Sequence, residues 1–249
     1  MDETKHSPAI ILNRSDYRES DSLITAYTRD FGKLVLVARG TKKIKSKLAG
    51  HLEPISLADI LIIKGKGFDY VGSALCRDAF LNLKDNLNKI YYAGRAISWF
   101  NRLVKEAQKD ERLFYLLYRW LEVLDNYPGD EFTKESGELY FTFFALKLLS
   151  ELGYKPEMYE CLNCRKKIEP GKNYFNLKNG GLICGDCIEQ ERAAQGINQA
   201  ELLTISDNCI KLMRFIMDNK LDVAKKLKLD KRVIKELSVL TINFLNFHS

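Results

Sequence analysis

A chain of 249 residues, 46% of them hydrophobic and 29% charged, holds enough apolar material for one or two buried cores plus a small module, and it lacks the polar bias of a disordered chain. Its net charge of +6 is a mild excess, so where the cations fall matters more than their number. The first residues, Met1 to Ser7, have neither the basic start nor the apolar stretch of a secretory signal, and no apolar run approaches the ~20 residues of a membrane-spanning helix, so a soluble, cytoplasmic protein without membrane contact is expected.

From Ser7 to about Arg77 the pattern is strand-like. Five short segments rich in β-branched and aromatic residues, Ala9–Leu12, Leu23–Tyr27, Leu34–Val37, Ile55–Ile63 and Phe68–Leu75, are separated by turn material such as Asn13–Asp16, Asp30–Gly32 and Lys64–Gly67. Five strands in that length suit a small closed barrel, with the OB-fold the leading candidate. After Asp78 the apolar period lengthens to about 3.6 residues. Leu87, Ile90, Tyr91, Gly94, Ile97, Phe100 and Val104 fall on one face of a first helix, and Leu113, Leu116, Leu117, Trp120 and Leu124 on one face of a second. Tyr127-Pro128-Gly129 breaks the pattern before a third helix carrying Leu139, Phe143, Leu146, Leu149 and Leu152, which Gly153 is placed to cap. Further on, Thr204-x-x-Asp207 resembles a capping box ahead of Ile210, Met213, Ile216 and Met217, and Asp230 is placed to cap a last helix with Val233, Leu237, Leu240 and Phe244. The expected architecture is α+β and multidomain. A five-stranded OB-fold β-barrel occupies 1–79, an all-α domain follows at 80–159 and 191–249, and a four-cysteine zinc module is inserted in it at 160–190.

That module rests on two C-x-x-C pairs, Cys161 with Cys164 and Cys184 with Cys187, separated by nineteen residues, within the range of zinc ribbons. Each tight turn places two thiolates on one ion, and two facing turns complete a tetrahedron with no position left for water or substrate, so one structural zinc per chain is expected. Redox dithiols and disulfides compete with zinc, and stable disulfides are out of place in a cytosolic chain. Gly180-Gly181, just before the second pair, supplies backbone freedom for its knuckle. Cys76 and Cys209 lie in apolar patterns and are expected to be small core residues.

The most polarised stretch lies between Asp30 and Glu53, where no acid occurs and Lys33, Arg39, Lys42, Lys43, Lys45 and Lys47 all fall. Five of these cations lie within the nine residues after the third strand, where an OB-type barrel presents a loop beside its binding face, so this is the candidate nucleic-acid contact. Of Tyr17, Tyr27, Phe31, Phe68 and Tyr70 in the same domain, one or two are candidates for stacking on unpaired bases. The plain competing reading is a solvated charged loop over a barrel whose aromatics are all core. His6, His51 and His248 show no ligand or catalytic spacing, and no phosphate-cradling glycine loop of either common type occurs, so no catalytic residue is assigned. Besides a DNA-binding protein, an RNA-binding protein of OB and zinc-ribbon type and an enzyme using a reactive thiol outside the metal fit the composition.

Several segments together resemble the RecO family of DNA repair and recombination proteins. They are Ala9-Ile-Ile-Leu12, Tyr17-Arg-Glu-Ser20, Thr28 with Phe31-Gly-Lys33, Val37-Ala-Arg-Gly40, Leu52-Glu-Pro54, and Leu148-Leu-Ser-Glu-Leu-Gly-Tyr-Lys-Pro156 leading into Cys161, followed by Gly180-Gly181 before Cys184. The resemblance spans nearly the whole chain. It implies a recombination mediator that makes and breaks no covalent bonds, binds single- and double-stranded DNA and anneals complementary strands. With the partner RecR, such a protein helps load the RecA recombinase onto DNA coated by single-stranded DNA-binding protein, whose C-terminal tail it also binds, and it joins the nucleoid during repair. It also implies that Arg39 and the cations after Gly40 correspond to the family's basic loop, and that the four cysteines are its zinc ligands. Some family members lack those cysteines, and the segment from Glu236 to Leu240 lacks the basic residue that usually precedes the serine there.

Overall fold

The computed structural model describes residues 4–193, 199–227 and 229–249, arranged as two compact units, 1–132 and 133–249. The first begins with five strands: β1 (Thr4–Asp16), β2 (Ser22–Thr28), β3 (Gly32–Ala38), β4 (Ser56–Ile63) and β5 (Asp69–Asp78). They close into an OB-like barrel in the order β1-β2-β3-β5-β4. Closure depends on the length of β1, whose first part pairs antiparallel with β4 (Thr4 opposite Ile63, Ile11 opposite Ser56) and whose later part pairs with β2 (Ala9 opposite Thr28, Asp16 opposite Ser22). A bulge between Ile11 and Asn13 bends the strand from one neighbour to the other. Ala58, Ile60 and Ile62 alternate inward along β4 to join Ile11, Ile24 and Leu36 in the barrel core. The run from Ala9 to Leu12 is buried without alternation because both faces of β1 are covered.

Three helices complete the first unit: α1 (Leu81–Lys84), α2 (Leu87–Leu103) and α3 (Glu111–Asn126). Asn86 caps α2 by accepting from the Asn88 and Lys89 N–H groups at 3.0 and 3.1 Å, and Asp110 caps α3 by accepting from the Arg112 N–H at 2.9 Å. On the barrel, Tyr27 meets Phe100 of α2 edge to face at 4.9 Å. The buried stripe of α2 differs from the one its apolar residues suggest. It runs Lys89, Tyr92, Ala93, Ala96, Ile97 and Phe100, while Leu87 and Tyr91 face outward, 85% and 59% exposed. Lys89 can be buried because its ammonium donates to the carbonyls of Asp125 (3.3 Å) and Tyr127 (2.6 Å) at the C-terminal end of α3.

The second unit is built on α4 (Lys134–Glu151), buried nearly all round and therefore its central rod rather than an amphipathic surface helix. Thr133 caps it by accepting from the Ser136 N–H at 3.2 Å. At its other end Gly153 adopts φ +93°, which lets the Tyr154 and Gly153 N–H groups reach the carbonyls of Leu149 (2.8 Å) and Ser150 (3.2 Å). The sequence between the cysteine pairs and beyond is more ordered than its lack of period suggests. It contains β6 (Asn173–Asn176), β7 (Gly181–Cys184), α5 (Gly185–Ala193) and β8 (Leu202–Ile205), the strands forming a sheet in the order β7-β6-β8. α6 (Asp207–Asp218) and α7 (Lys231–Phe247) pack on α4. Thr204 does not start α6: it is opposite Tyr174 in β8, and Ser206 is the cap, accepting from the Cys209 N–H at 3.2 Å. Asp230 caps α7 through the Arg232 N–H at 2.8 Å, and Lys147 donates to the Met217 carbonyl at the end of α6 at 2.7 Å. Among the described residues no helix is long and apolar enough to cross a membrane.

The barrel core predicts that Leu36→Ala, at a side chain 1% exposed, destabilises the first unit by about 2–5 kcal/mol. Urea denaturation followed by intrinsic fluorescence should show a lower midpoint with an unchanged slope.

Candidate nucleic-acid surface and candidate metal centre

The basic segment leaves β3 at Arg39 and is staked to the barrel at its base. Arg14, from β1, donates to the Thr41 carbonyl at 3.3 Å, to the Ala49 carbonyl at 3.2 Å and to Glu53 at 2.7 Å, so one side chain grips both ends of the loop. The Gly40 N–H donates to Asp21 at 2.9 Å, and the buried Thr41 hydroxyl donates to Ser22 at 2.8 Å. Lys42 donates to the Arg18 carbonyl and pairs with Asp16, both at 3.0 Å, tying the loop to the β1–β2 turn. Sequence reasoning does not single out Arg14 or Asp21. Those partners lie 19 to 39 residues away, and no local pattern signals them.

Above this base Lys43, Lys45 and Lys47 are exposed, and among the described residues no carboxylate pairs with any of the three. Ile44 between them is fully exposed. Arg39 lies over the Tyr70 ring, 4.0 Å from its centroid, a cation–π contact that fixes the guanidinium on the barrel wall. Lys33 lies elsewhere. It is 8% exposed, its ammonium donates to the Asn101 carbonyl at 2.7 Å, and burial holds it below the usual lysine range despite the nearby Glu106 carboxylate. The structure thus gathers Arg39, Lys43, Lys45 and Lys47 on one exposed loop, uses Lys42 as a tether and keeps Lys33 inside.

The four cysteine sulfurs all lie within 4.8 Å of one another and could hold a metal ion. Cys161 and Cys187 are 3.8 Å apart, and Cys164 and Cys184 3.9 Å. Those separations fit the edge of a tetrahedron, about 3.8 Å for metal–sulfur bonds of about 2.3 Å, and exceed the ~2.05 Å of a disulfide. Backbone pairing brings the knuckles together: Leu162 N–H donates to the Leu182 carbonyl at 2.8 Å, and Leu182 N–H to the Glu157 carbonyl at 3.0 Å. Gly181 permits this approach, since a Cβ there would stand 2.9 Å from Leu162 Cδ2 and 3.0 Å from the Glu157 carbonyl oxygen. Burial opposes charge on the Cys161 sulfur, but N–H groups of Cys184, Cys164 and Asn163 bring its thiol down to about 7. Burial and the crowded sulfurs push Cys187 up. A cation among the four would reconcile these opposing pressures. Of the remaining cysteines, Cys209 is fully buried and burial pushes its thiol up, whereas Cys76 is only half-buried.

The chain thus combines a closed OB-like barrel carrying an exposed basic loop with a helical unit carrying a four-cysteine cluster. Two family models match it, Recombination protein O N terminal over residues 1–80 and Recombination protein O C terminal over residues 84–249. The DNA repair protein RecO of Dehalococcoides mccartyi strain CBDB1 is 30% identical over 231 residues, covering 93% of this chain and 85% of its own length. Those of Roseiflexus sp. strain RS-1 (31%, 92% of this chain, 75% of its own) and Alkaliphilus metalliredigens (27%, 96% and 94%) are similar over comparable spans. The chain belongs to the RecO family of DNA repair proteins.

Two lysines of this region should separate cleanly. Lys33→Ala leaves the Asn101 carbonyl without its donor and is expected to lower stability by about 1–3 kcal/mol in urea titrations, whereas Lys45→Ala stays within about 0.5 kcal/mol of the parent.

Proposed function

We propose that the chain is a recombination mediator that binds single- and double-stranded DNA, anneals complementary strands and, with RecR, helps load RecA onto DNA coated by single-stranded DNA-binding protein. The observation that carries this reading is the loop of exposed, carboxylate-free lysines staked to the barrel rim in a chain of the RecO family. Arg39, Lys43, Lys45 and Lys47 meet phosphates, while Lys42 holds the loop in place and Lys33 serves the fold. Annealing by such a surface requires no bond chemistry. Cations that gather two strands lower their mutual repulsion and raise their local concentration, and bases left unpaired find their complements. The family's partners extend to the C-terminal tail of single-stranded DNA-binding protein, and its setting is the cytoplasm with nucleoid association during repair.

Zinc is the metal that suits four thiolates at tetrahedral spacing, held by Cys161, Cys164, Cys184 and Cys187. With all four positions filled by protein, it would act as a staple for the knuckles and take no part in DNA chemistry. Elemental analysis of protein purified without chelator should return about one zinc per chain. Stripping the metal removes a contribution on the order of 10 kcal/mol and should open residues 157–190 to protease while the barrel persists.

The DNA reading is tested by annealing of strands coated with single-stranded DNA-binding protein, comparing the native chain with the triple variant Lys43→Glu, Lys45→Glu, Lys47→Glu. Lys42 is left intact so that the loop keeps its tether. Annealing should fall at least tenfold in the variant. The native chain, meeting about four phosphates, should lose roughly fiftyfold in single-strand affinity between 50 and 200 mM salt. Annealing unchanged in the variant, or salt-indifferent binding, would assign the DNA contact to another surface. RNA competing as well as DNA of equal length would favour an RNA-binding role.

A further inference from the structure

The barrel's aromatic residues divide sharply by environment. Tyr27 is fully buried, its hydroxyl donating to the Asp110 carbonyl at 3.1 Å, and Tyr70 lies beneath Arg39. Phe31 packs against the barrel core. Tyr17 and Phe68 do neither. They are 38% and 43% exposed, from two turns far apart in sequence, yet their rings meet edge to face with centroids 5.8 Å apart at 73°. An edge-to-face pair holds both rings in place while leaving ring surface open to solvent.

Both turns are built to present these rings. In the β1–β2 turn the Tyr17 and Arg18 N–H groups both donate to the Asp21 carbonyl, at 3.3 and 3.4 Å. In the β4–β5 turn the Gly65 N–H donates to Asp69 at 3.1 Å, and the chain folds so tightly that a Cβ on Gly65 would stand 2.0 Å from the Phe68 carbonyl oxygen. These are the two loops that flank the binding face of an OB-type barrel. The Arg18 guanidinium lies 5.1 Å from the Tyr17 ring centroid, and the Lys42 tether to the Arg18 carbonyl joins this turn to the basic loop. Of the three acids in the turn, Asp16 is paired with Lys42, Asp21 receives the Gly40 N–H, and Glu19 is exposed to solvent.

We propose that Tyr17 and Phe68 form a stacking platform for unpaired nucleobases of a single strand whose phosphates lie on the adjoining basic loop. The proposal rests on the DNA-binding reading above and adds to it a means of choosing single strands. Cations attract any polyanion, but an open aromatic face gains only from a base that is not already stacked within a duplex. Stacking is tolerant of sequence because every base offers a π-face.

Fluorescence anisotropy with labelled oligothymidylate, an abasic strand of equal length and a duplex of equal length tests it. Tyr17→Ala and Phe68→Ala should each weaken oligothymidylate binding about tenfold while leaving duplex affinity, abasic-strand affinity and salt dependence unchanged. Tyr17→Phe and Phe68→Tyr, which keep a ring, should bind as the native chain does and control for folding. Equal losses on single strand and duplex, no loss in either alanine variant, or a native chain that binds the abasic strand as tightly as oligothymidylate would each overturn the platform. If the lysine triple variant loses salt-sensitive binding while both alanine variants bind normally, the platform alone fails. A native chain that binds no DNA fails the underlying reading as well.

Discussion

The first unit depends on one constraint: β1 must pair along both of its edges. Its thirteen residues serve β4 with the first part and β2 with the later part, and the bulge after Ile11 turns the strand between them. Over Ala9 to Ile11 the two pairings overlap, and this doubly paired stretch joins the ends of the sheet into a barrel. The same closure fixes the far end of β1, from which Arg14 reaches the basic loop, and it sets Tyr17 at the mouth of the following turn. A slip of one residue in the β1–β2 register would turn Ala9 and Ile11 outward and carry Arg14 away from the Thr41 and Ala49 carbonyls.

The basic loop and the cysteine knuckles solve a similar problem by different means. Each must hold a few side chains in place without a large core of its own, the loop on irregular chain and the second cysteine pair at the junction of β7 and α5. The loop is held from outside, by Arg14, Asp21 and the tether through Lys42, so its remaining lysines keep their side-chain freedom. The knuckles are held from below, by the pairing of Leu162 with Leu182 and of Leu182 with Glu157, and four sulfurs converge on a fixed tetrahedral spacing. Fixed geometry suits a metal ion, which tolerates little variation.

What is legible in the sequence follows physical range. The strands of the barrel are visible because β-branched residues recur between turn residues within a few positions, and the cysteine pairs because ligand spacing is local. The buried face of α2 escapes such reasoning because Leu87 and Tyr91 are apolar yet outward, while Lys89 is charged yet inward; composition cannot show that two carbonyls await its ammonium. Strands β6 to β8 are four residues each, too short for a period to emerge, so Thr204 reads as a helix cap although it lies in a sheet. The place of Lys33, inward beside Asn101, depends on a partner 68 positions away.

Lys33, Lys89 and Lys147 share an arrangement with a wider meaning. Each directs its ammonium at carbonyls in the final turn or just past the end of a helix, of α2, α3 and α6 respectively, where backbone oxygens lack intrahelical donors. The chain has 39 basic residues, and these three, like Arg14 and Lys42 in the loop base, answer to partial charges of its own backbone. Formal net charge therefore overstates how many cations the chain presents to solvent. Lysines of one composition divide by what their ammonium groups meet: helix-end carbonyls for these three, a neighbouring turn for Lys42, and solvent for Lys43, Lys45 and Lys47.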